Sequence, residues 1–312
     1  MTGYPTTPET HGAALFHEAL LYRGKGELAH AVHEFVTEGI KAGEPVLAAV
    51  PRENVEWLRE ALSHHADEVR FEDMNEVGSN PSCLLPMIEE WIDGHRGRAR
   101  VISEPMWPGR SYAETVECLR HEALLNHALS GSDAKILCPY DAEHLDSDVL
   151  EGAELTHPRL RDASGSRPSE RYEDPLHVLL SERWPLTEPA VPVSEHIFVG
   201  DLRSLRRAVV DDPSLRGLSR ERREDVVFVV NEAATNALKH GDGHCTARIW
   251  HDGHSVVSEV SSDTAVADVL AGRRRPSPDA LSGRGLWLIN QVCDLVELRS
   301  GEAGMTLRMH VR

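Results

Sequence analysis

No stretch of this 312-residue chain approaches the ~20 consecutive apolar residues a membrane span needs, and its start lacks a basic segment leading into an apolar one. The expectation is a soluble, cytoplasmic protein with no membrane partner. Cysteine is sparse: Cys83, Cys118, Cys138, Cys245 and Cys293 are scattered, with no C-x-x-C and no Cys/His pair at zinc-ligand spacing. Neither a disulfide framework nor a metal cluster is suggested, and the five read as small core residues or free thiols. Basic charge is in deficit, 33 Lys and Arg against 51 Asp and Glu for a formal net charge of −18, which disfavours non-specific contact with nucleic acid. A protein or small-molecule partner fits that balance better.

What is there is enough apolar sequence, 40% of residues, for two ordinary cores, and the length predicts two domains. Residues 1 to 10 are polar and Pro/Thr-rich, a loose tail. Leu28, Val32, Phe35, Val36 and Ile40 then mark an amphipathic helix that Gly43 ends, and Pro45 to Val50 reads as a buried strand of the parallel kind. Helices over 55–62, 84–93 and 112–129 alternate with strands over 69–71, 99–103 and 134–138. That alternation predicts a three-layer α/β domain with helices on both faces of one sheet. It contains no G-x-x-x-x-G-K-[ST], so it should not hydrolyse nucleotide through a P-loop.

Residues 159 to 193 lose periodicity and gather Pro, Ser, Arg and Glu, a linker composition with one short helical stretch at 176–180. From residue 195 a strand over 196–199, Asp201 as an N-cap and a helix through Val210 open a second domain. Residues 245–251 and 254–260 alternate around Asp252-Gly253, a hairpin signal. A short helix to Gln291 and strands over 292–298 and 305–311 complete a two-layer α/β sandwich, helices on one face of a mostly antiparallel sheet.

Chemistry concentrates on the helix Glu224 to His240. Val226, Val230, Ala233 and Ala237 recur at helical spacing, while Glu232, Asn236 and His240 fall on the adjoining face at i, i+4, i+8. A carboxylate and an amide carbonyl so placed can hold Mg²⁺ through oxygens and water, and the carboxylate can orient a hydroxyl. On those residues alone a surface helix with an i,i+4 Glu/Asn pair is the simpler reading.

The pattern E-x-x-x-N-A-x-x-H, followed by Gly241-Asp242-Gly243, resembles the N-box of the GHKL ATPases, in their anti-sigma-factor kinase branch. Downstream, Ser282-Gly283-Arg284-Gly285-Leu286-Trp287-Leu288-Ile289 resembles the matching G2 box, a Gly-rich loop that lets bare backbone approach phosphate before a helix begins. The resemblance covers about residues 195 to 312. It implies ATP and Mg²⁺, with Glu232 as catalytic carboxylate, Asn236 as Mg²⁺ ligand, and Gly283, Arg284, Gly285 and Leu286 around the phosphates beside His240. It also implies protein partners: a sigma factor, and an antagonist phosphorylated on serine or threonine. Self-association to a homodimer is compatible with it. A non-catalytic GHKL-fold module acting by docking is the competing class. A histidine kinase fits less well, because only His177, in DPLHVLL, precedes the N-box in the linker.

GHKL proteins carry an Asp-x-Gly after the hairpin, whose carboxylate accepts a hydrogen bond from the adenine amino group. Here the place reads Glu259-Val260-Ser261-Ser262-Asp263-Thr264-Ala265, with no Gly and Asp263 one residue late, which predicts weak ATP binding. Arg273, Arg274 and Arg275 lie between the boxes as a solvated basic loop or a lid.

The first half, through HGAALFHEALLYRGKGELAHAVHEFVTEGIKAGEPVLAAVP, Glu104-Pro105-Met106-Trp107, HEALLNHAL, CPYD and Thr156-His157-Pro158, is similar to the MEDS sensory domain over residues 11 to 158. That similarity implies a small-molecule ligand. Glu104, Trp107 and Tyr140 fall at strand ends, where α/β sheets place crevices, although Trp107 also reads as core. His11, His17, His30 and His33 read as solvated or hydrogen-bonded histidines, since no third ligand stands at fixed spacing from His30 and His33.

Overall fold

The computed structural model of the chain describes residues 15–199, 201–241, 243–277, 279 and 283–312. The tail over residues 1 to 10, His11, Asp242 and Ser282 therefore lie outside the described residues. Two sheets organise the rest, one of seven strands and one of five.

The first half runs β1 (Phe16–Tyr22), α1 (Gly24–Ala42), β2 (Val46–Val50), α2 (Arg52–Leu62), β3 (Val69–Asp73), α3 (Met74–Val77), α4 (Leu84–Asp93), β4 (Ala99–Ser103), α5 (Tyr112–Ala128), β5 (Ala134–Asp141) and α6 (Ser147–Thr156). Its strand order is β3-β2-β4-β5-β1-β6-β7, parallel except for the last pair, where β6 (Arg159–Asp162) and β7 (Gly165–Pro168) form an antiparallel hairpin. Gly43 ends α1 as expected, in the left-handed conformation with φ 68°, its N–H reaching back to Gly39 and Ile40 carbonyls. α1 and α2 cover one face of the sheet through Leu28, Val32, Val36, Leu58 and Leu62. α4, α5 and α6 cover the other through Ile88, Leu119, Leu125 and Ala153. Helices on both faces make the three layers.

Two features differ from the sequence reading. β1 sits near the middle of the sheet, between β5 and β6, although its His and Glu broke the apolar run by which a central parallel strand is recognised. The other is the start of the segment 159–193, whose first ten residues form the β6–β7 hairpin; the short helix expected at 176–180 is present as α7 (Pro175–Leu180), which packs Val178 and Leu179 into the first core. A hairpin of polar strands on a sheet edge needs backbone pairing rather than apolar periodicity, so composition alone reads it as loop. Limited proteolysis should accordingly nick the exposed stretch 182–193 and spare 159–180; preferred cleavage inside the hairpin would contradict its pairing.

α5 is buried on all sides from Val116 to Asn126. It lies between the first sheet and the second half, and its polar residues serve contacts on each side.

The second half runs β8 (Ser194–Val199), α8 (Leu202–Asp211), α9 (Arg220–His240), β9 (His244–His251), β10 (Val256–Ser262), α10 (Arg284–Val292), β11 (Leu295–Gly301) and β12 (Gly304–Val311). The sheet order is β11-β12-β10-β9-β8, every pair antiparallel. α8, α9 and α10 pack on one face, against Cys245, Ala247, Ile249, Val260, Leu307, Met309 and Val311. The opposite face carries Glu259 between Arg248 and Arg308, and Arg308 also donates to the Thr187 carbonyl, so the chain leading into this half crosses its rear. Among the described residues no helix is long and apolar enough to cross a membrane.

Candidate functional site

Ser219 caps α9 by accepting from Arg222 N–H, which sets the phase of everything that follows. With that phase, Val226, Val230 and Ala233 are fully buried and Ala237 nearly so. Glu232 and Asn236, one turn apart beside that stripe, are half-buried; His240, a further turn on, is exposed at the helix end.

The two Gly-containing boxes meet here. Gly283 adopts φ 85°, ψ 0°, the left-handed conformation that turns the incoming chain into α10. Arg284, Gly285 and Leu286 are then its first residues, where a helix turns its backbone N–H groups outward. A Cβ added at Gly285 would lie 2.8 Å from Asn236 Nδ2 and 3.2 Å from Glu232 Oε2. The bare backbone of the α10 start therefore seats on the acid–amide edge of α9, while Leu286 turns into the core between them. A carboxylate, an amide oxygen and a helix N-terminus in one place suit Mg²⁺ and phosphate. Asn236 is the residue that could hold the metal, with the Glu232 carboxylate beside it, and the α10 N–H groups could hold phosphates.

The adenine end does not fit. Val256, Val260 and Ser262 alternate onto the helix-facing side of β10, so Ser261 and the residue after the strand, Asp263, fall on the other side. Asp263 Oδ2 there pairs with His244 Nε2 at 3.0 Å, behind the sheet and away from α9.

The segment between the boxes lies on the first half of the chain. Val269 and Leu270 pack against the first core. Arg273, only 8% exposed, donates from Nη2 to Glu117 Oε2 at 2.8 Å, which corrects the reading of this residue as part of a solvated loop. Arg274 donates to Glu89 and to the Ala128 carbonyl. Glu117 itself, fully buried on α5, also accepts from Arg299 Nη1 at 2.6 Å and lies 3.5 Å from Arg120 Nε. Burial pushes its carboxyl up, but Arg299, Arg120 and Arg273 together outweigh that and hold it below the ordinary carboxylate value. Immediately before Arg273, a Cβ at Gly272 (φ 74°) would fall 2.7 Å from Leu286 Cβ, and Asn290 Nδ2 donates to the Gly272 carbonyl. Asn80 in turn donates to the Asn290 carbonyl at 2.9 Å. One continuous path thus runs from α5 through Arg273 and Gly272 to the helix that carries the G2 box. Sequence reasoning missed Glu117 because an acid inside a helix reads as solvated.

The three residues expected to line a crevice are not gathered. Glu104 is buried with Tyr22 and Asn54 as hydrogen-bond donors, and burial raises its pKa to about 8. Tyr140 belongs to the core under α5. Trp107, with Arg110 stacked 3.6 Å from its ring centre, lines a cleft of about 680 Å³ that Asp252 and Arg312 of the second half also line.

A three-layer α/β domain joined to a two-layer domain in which a glycine-started helix meets an acid–amide edge is the build of a signalling protein with a nucleotide-binding output. Residues 16–158 match the family model described as MEDS, the MEthanogen/methylotroph, DcmR Sensory domain, and residues 199–311 match the histidine kinase-like ATPase domain. The chain is a fusion of these two families, each half belonging to the one it matches. No curated protein matches the chain.

Proposed function

We propose that the chain is a regulator of the anti-sigma-factor kinase type, in which the sensory half governs the ATPase-like half through the segment between its boxes. The observation that carries this reading is the buried Arg273–Glu117 pair, which ties that segment to the helix at the heart of the sensory domain. A ligand that shifts α5 would move Arg273, and with it Gly272 and the start of α10.

In the catalytic reading, Glu232 takes the proton of a partner's serine or threonine hydroxyl as that oxygen bonds to the γ-phosphorus of ATP and ADP departs. Asn236 would hold Mg²⁺, which would neutralise charge on the phosphates. The test is transfer of label from Mg-[γ-³²P]ATP to purified antagonist proteins of the same cell. Serine or threonine labelling that Glu232→Gln abolishes supports the kinase; stoichiometric complex formation without labelling supports the second reading.

That second reading, a docking module with little nucleotide affinity, is favoured by the pairing of Asp263 with His244 behind the sheet. Losing a charge-assisted hydrogen bond to adenine costs on the order of 1.5–3 kcal/mol, roughly ten- to a hundredfold in affinity. Binding of Mg-ATP by the native chain should then be millimolar. Ser262 occupies the helix-facing position at the strand end, and Thr264 Oγ1 lies 3.4 Å from where a Cβ of Gly241 would stand. Ser262→Asp with Thr264→Gly should tighten ATP binding by that same factor in calorimetry. No gain in the double variant would show that the adenine end is not what limits affinity.

A further inference from the structure

Four side chains without any sequence motif converge inside the sensory half: His17 on β1, Glu122 on α5, Cys138 on β5 and His157 at the end of α6. The parallel register pairs His17 with Ile136 and Ala19 with Cys138, so His17 and Cys138 share the face that α5 covers. All four are buried, and their ligand atoms lie within 4.8 Å of one another.

The hydrogen-bond pattern fixes how the rings present themselves. Asn126 Nδ2 donates to two backbone carbonyls, of Glu122 and Thr156, so its Oδ1 is what faces His17 Nδ1 at 2.9 Å. His17 Nδ1 must therefore carry the proton. His157 Nδ1 lies 2.9 Å from the Ala153 carbonyl and must do likewise. Each ring then turns its Nε2 inward, 3.1 Å (His17) and 3.4 Å (His157) from Glu122 Oε2. Cys138 Sγ completes the group at 3.3 Å from His17 Nε2 and 3.4 Å from Glu122 Oε2. Among the described residues, His157 Nε2 and Glu122 Oε1 are buried with no hydrogen-bond partner. Leaving a ring nitrogen and a carboxylate oxygen unpartnered in a dry interior is unfavourable, and a cation between the four ligand atoms would satisfy both.

We propose that these four residues form a closed binding site for a divalent transition metal of the zinc type. Bonds of ~2.0–2.1 Å to nitrogen and oxygen and ~2.3 Å to sulfur at tetrahedral angles separate ligand atoms by roughly 3.3–3.6 Å, close to the spacings found here. A 2+ ion with one carboxylate, one thiolate and two neutral imidazoles is electrically neutral, as a buried site requires. The Nδ1 contacts to Asn126 and Ala153 are the outer hydrogen bonds that orient metal-bound histidines. The ion would tie β1, β5 and α6 to α5, the helix that also carries Glu117.

The test uses the full chain, stripped with chelator and dialysed against Zn²⁺ or Co²⁺. The expected result is one metal per chain by elemental analysis, a thiolate-to-cobalt charge-transfer band in the Co²⁺ form, and a melting temperature raised by roughly 3–5 °C. Cys138→Ser, which keeps the shape of the side chain, should remove the charge-transfer band, and His157→Asn should lower the stoichiometry. Less than a tenth of an equivalent in the native chain would overturn the proposal without recourse to any variant. So would a cobalt band that survives Cys138→Ser, which would place the ion on one of the other four cysteines.

Discussion

Glu117→Ala is expected to destabilise the docked chain by ~3–5 kcal/mol, because it leaves the guanidiniums of Arg273, Arg299 and Arg120 facing an emptied, dry position. The cost falls on the junction between the halves. Urea unfolding should separate into two transitions, and amides of residues 268–275 should exchange faster with solvent. Glu117→Gln, which keeps the shape and removes the charge, should behave similarly. The pair also has a pH sign. Its carboxyl is held below the ordinary value, so its contribution is complete above about pH 4.5 and is lost as pH falls through the lower folded value. Acid should therefore loosen the junction, and Glu117→Gln should remove that part of the pH dependence. An unchanged urea midpoint in both variants would show that Arg273 finds an equally good partner elsewhere.

Asn236→Ala should abolish Mg²⁺-dependent nucleotide binding, a loss of at least about a hundredfold for a metal ligand, while changing stability by less than about 0.5 kcal/mol. The two effects separate because Asn236 is half-buried beside the core stripe of α9, and alanine has the higher helix propensity. Measured in the Ser262→Asp/Thr264→Gly background, where affinity should be easier to read, retained Mg²⁺-dependent binding would remove Asn236 from the site. Comparable loss in Gly285→Ala is the expected companion, since its methyl group would lie 2.8 Å from Asn236 Nδ2.

Much of the fold was legible where local patterns agree with tertiary burial. The α9 stripe, the α1 end at Gly43, and the helix-facing row of β12 (Leu307, Met309, Val311) follow directly from periodicity and turn chemistry. β1 was not legible, because its inward His17 serves a polar cluster rather than the apolar core that periodicity detects. The two boxes, far apart in sequence, meet in space, where the bare backbone at Gly285 lies against Glu232 and Asn236. The roles of Glu117 and Arg273 were invisible, since a charge buried by a partner 156 residues away looks in sequence like any surface charge. The His17–Glu122–Cys138–His157 group was hidden for the same reason: a parallel sheet assembles ligands from distant strands, with no fixed spacing.

Calorimetric titration of Mg-ATP into the native chain and into Glu117→Ala tests most directly the claim that the sensory half governs a weak nucleotide site through the segment carrying Arg273. The account predicts millimolar binding by the native chain and an affinity changed by at least about threefold once Arg273 is released. Low-micromolar binding by the native chain, or the same affinity in both proteins, would contradict it.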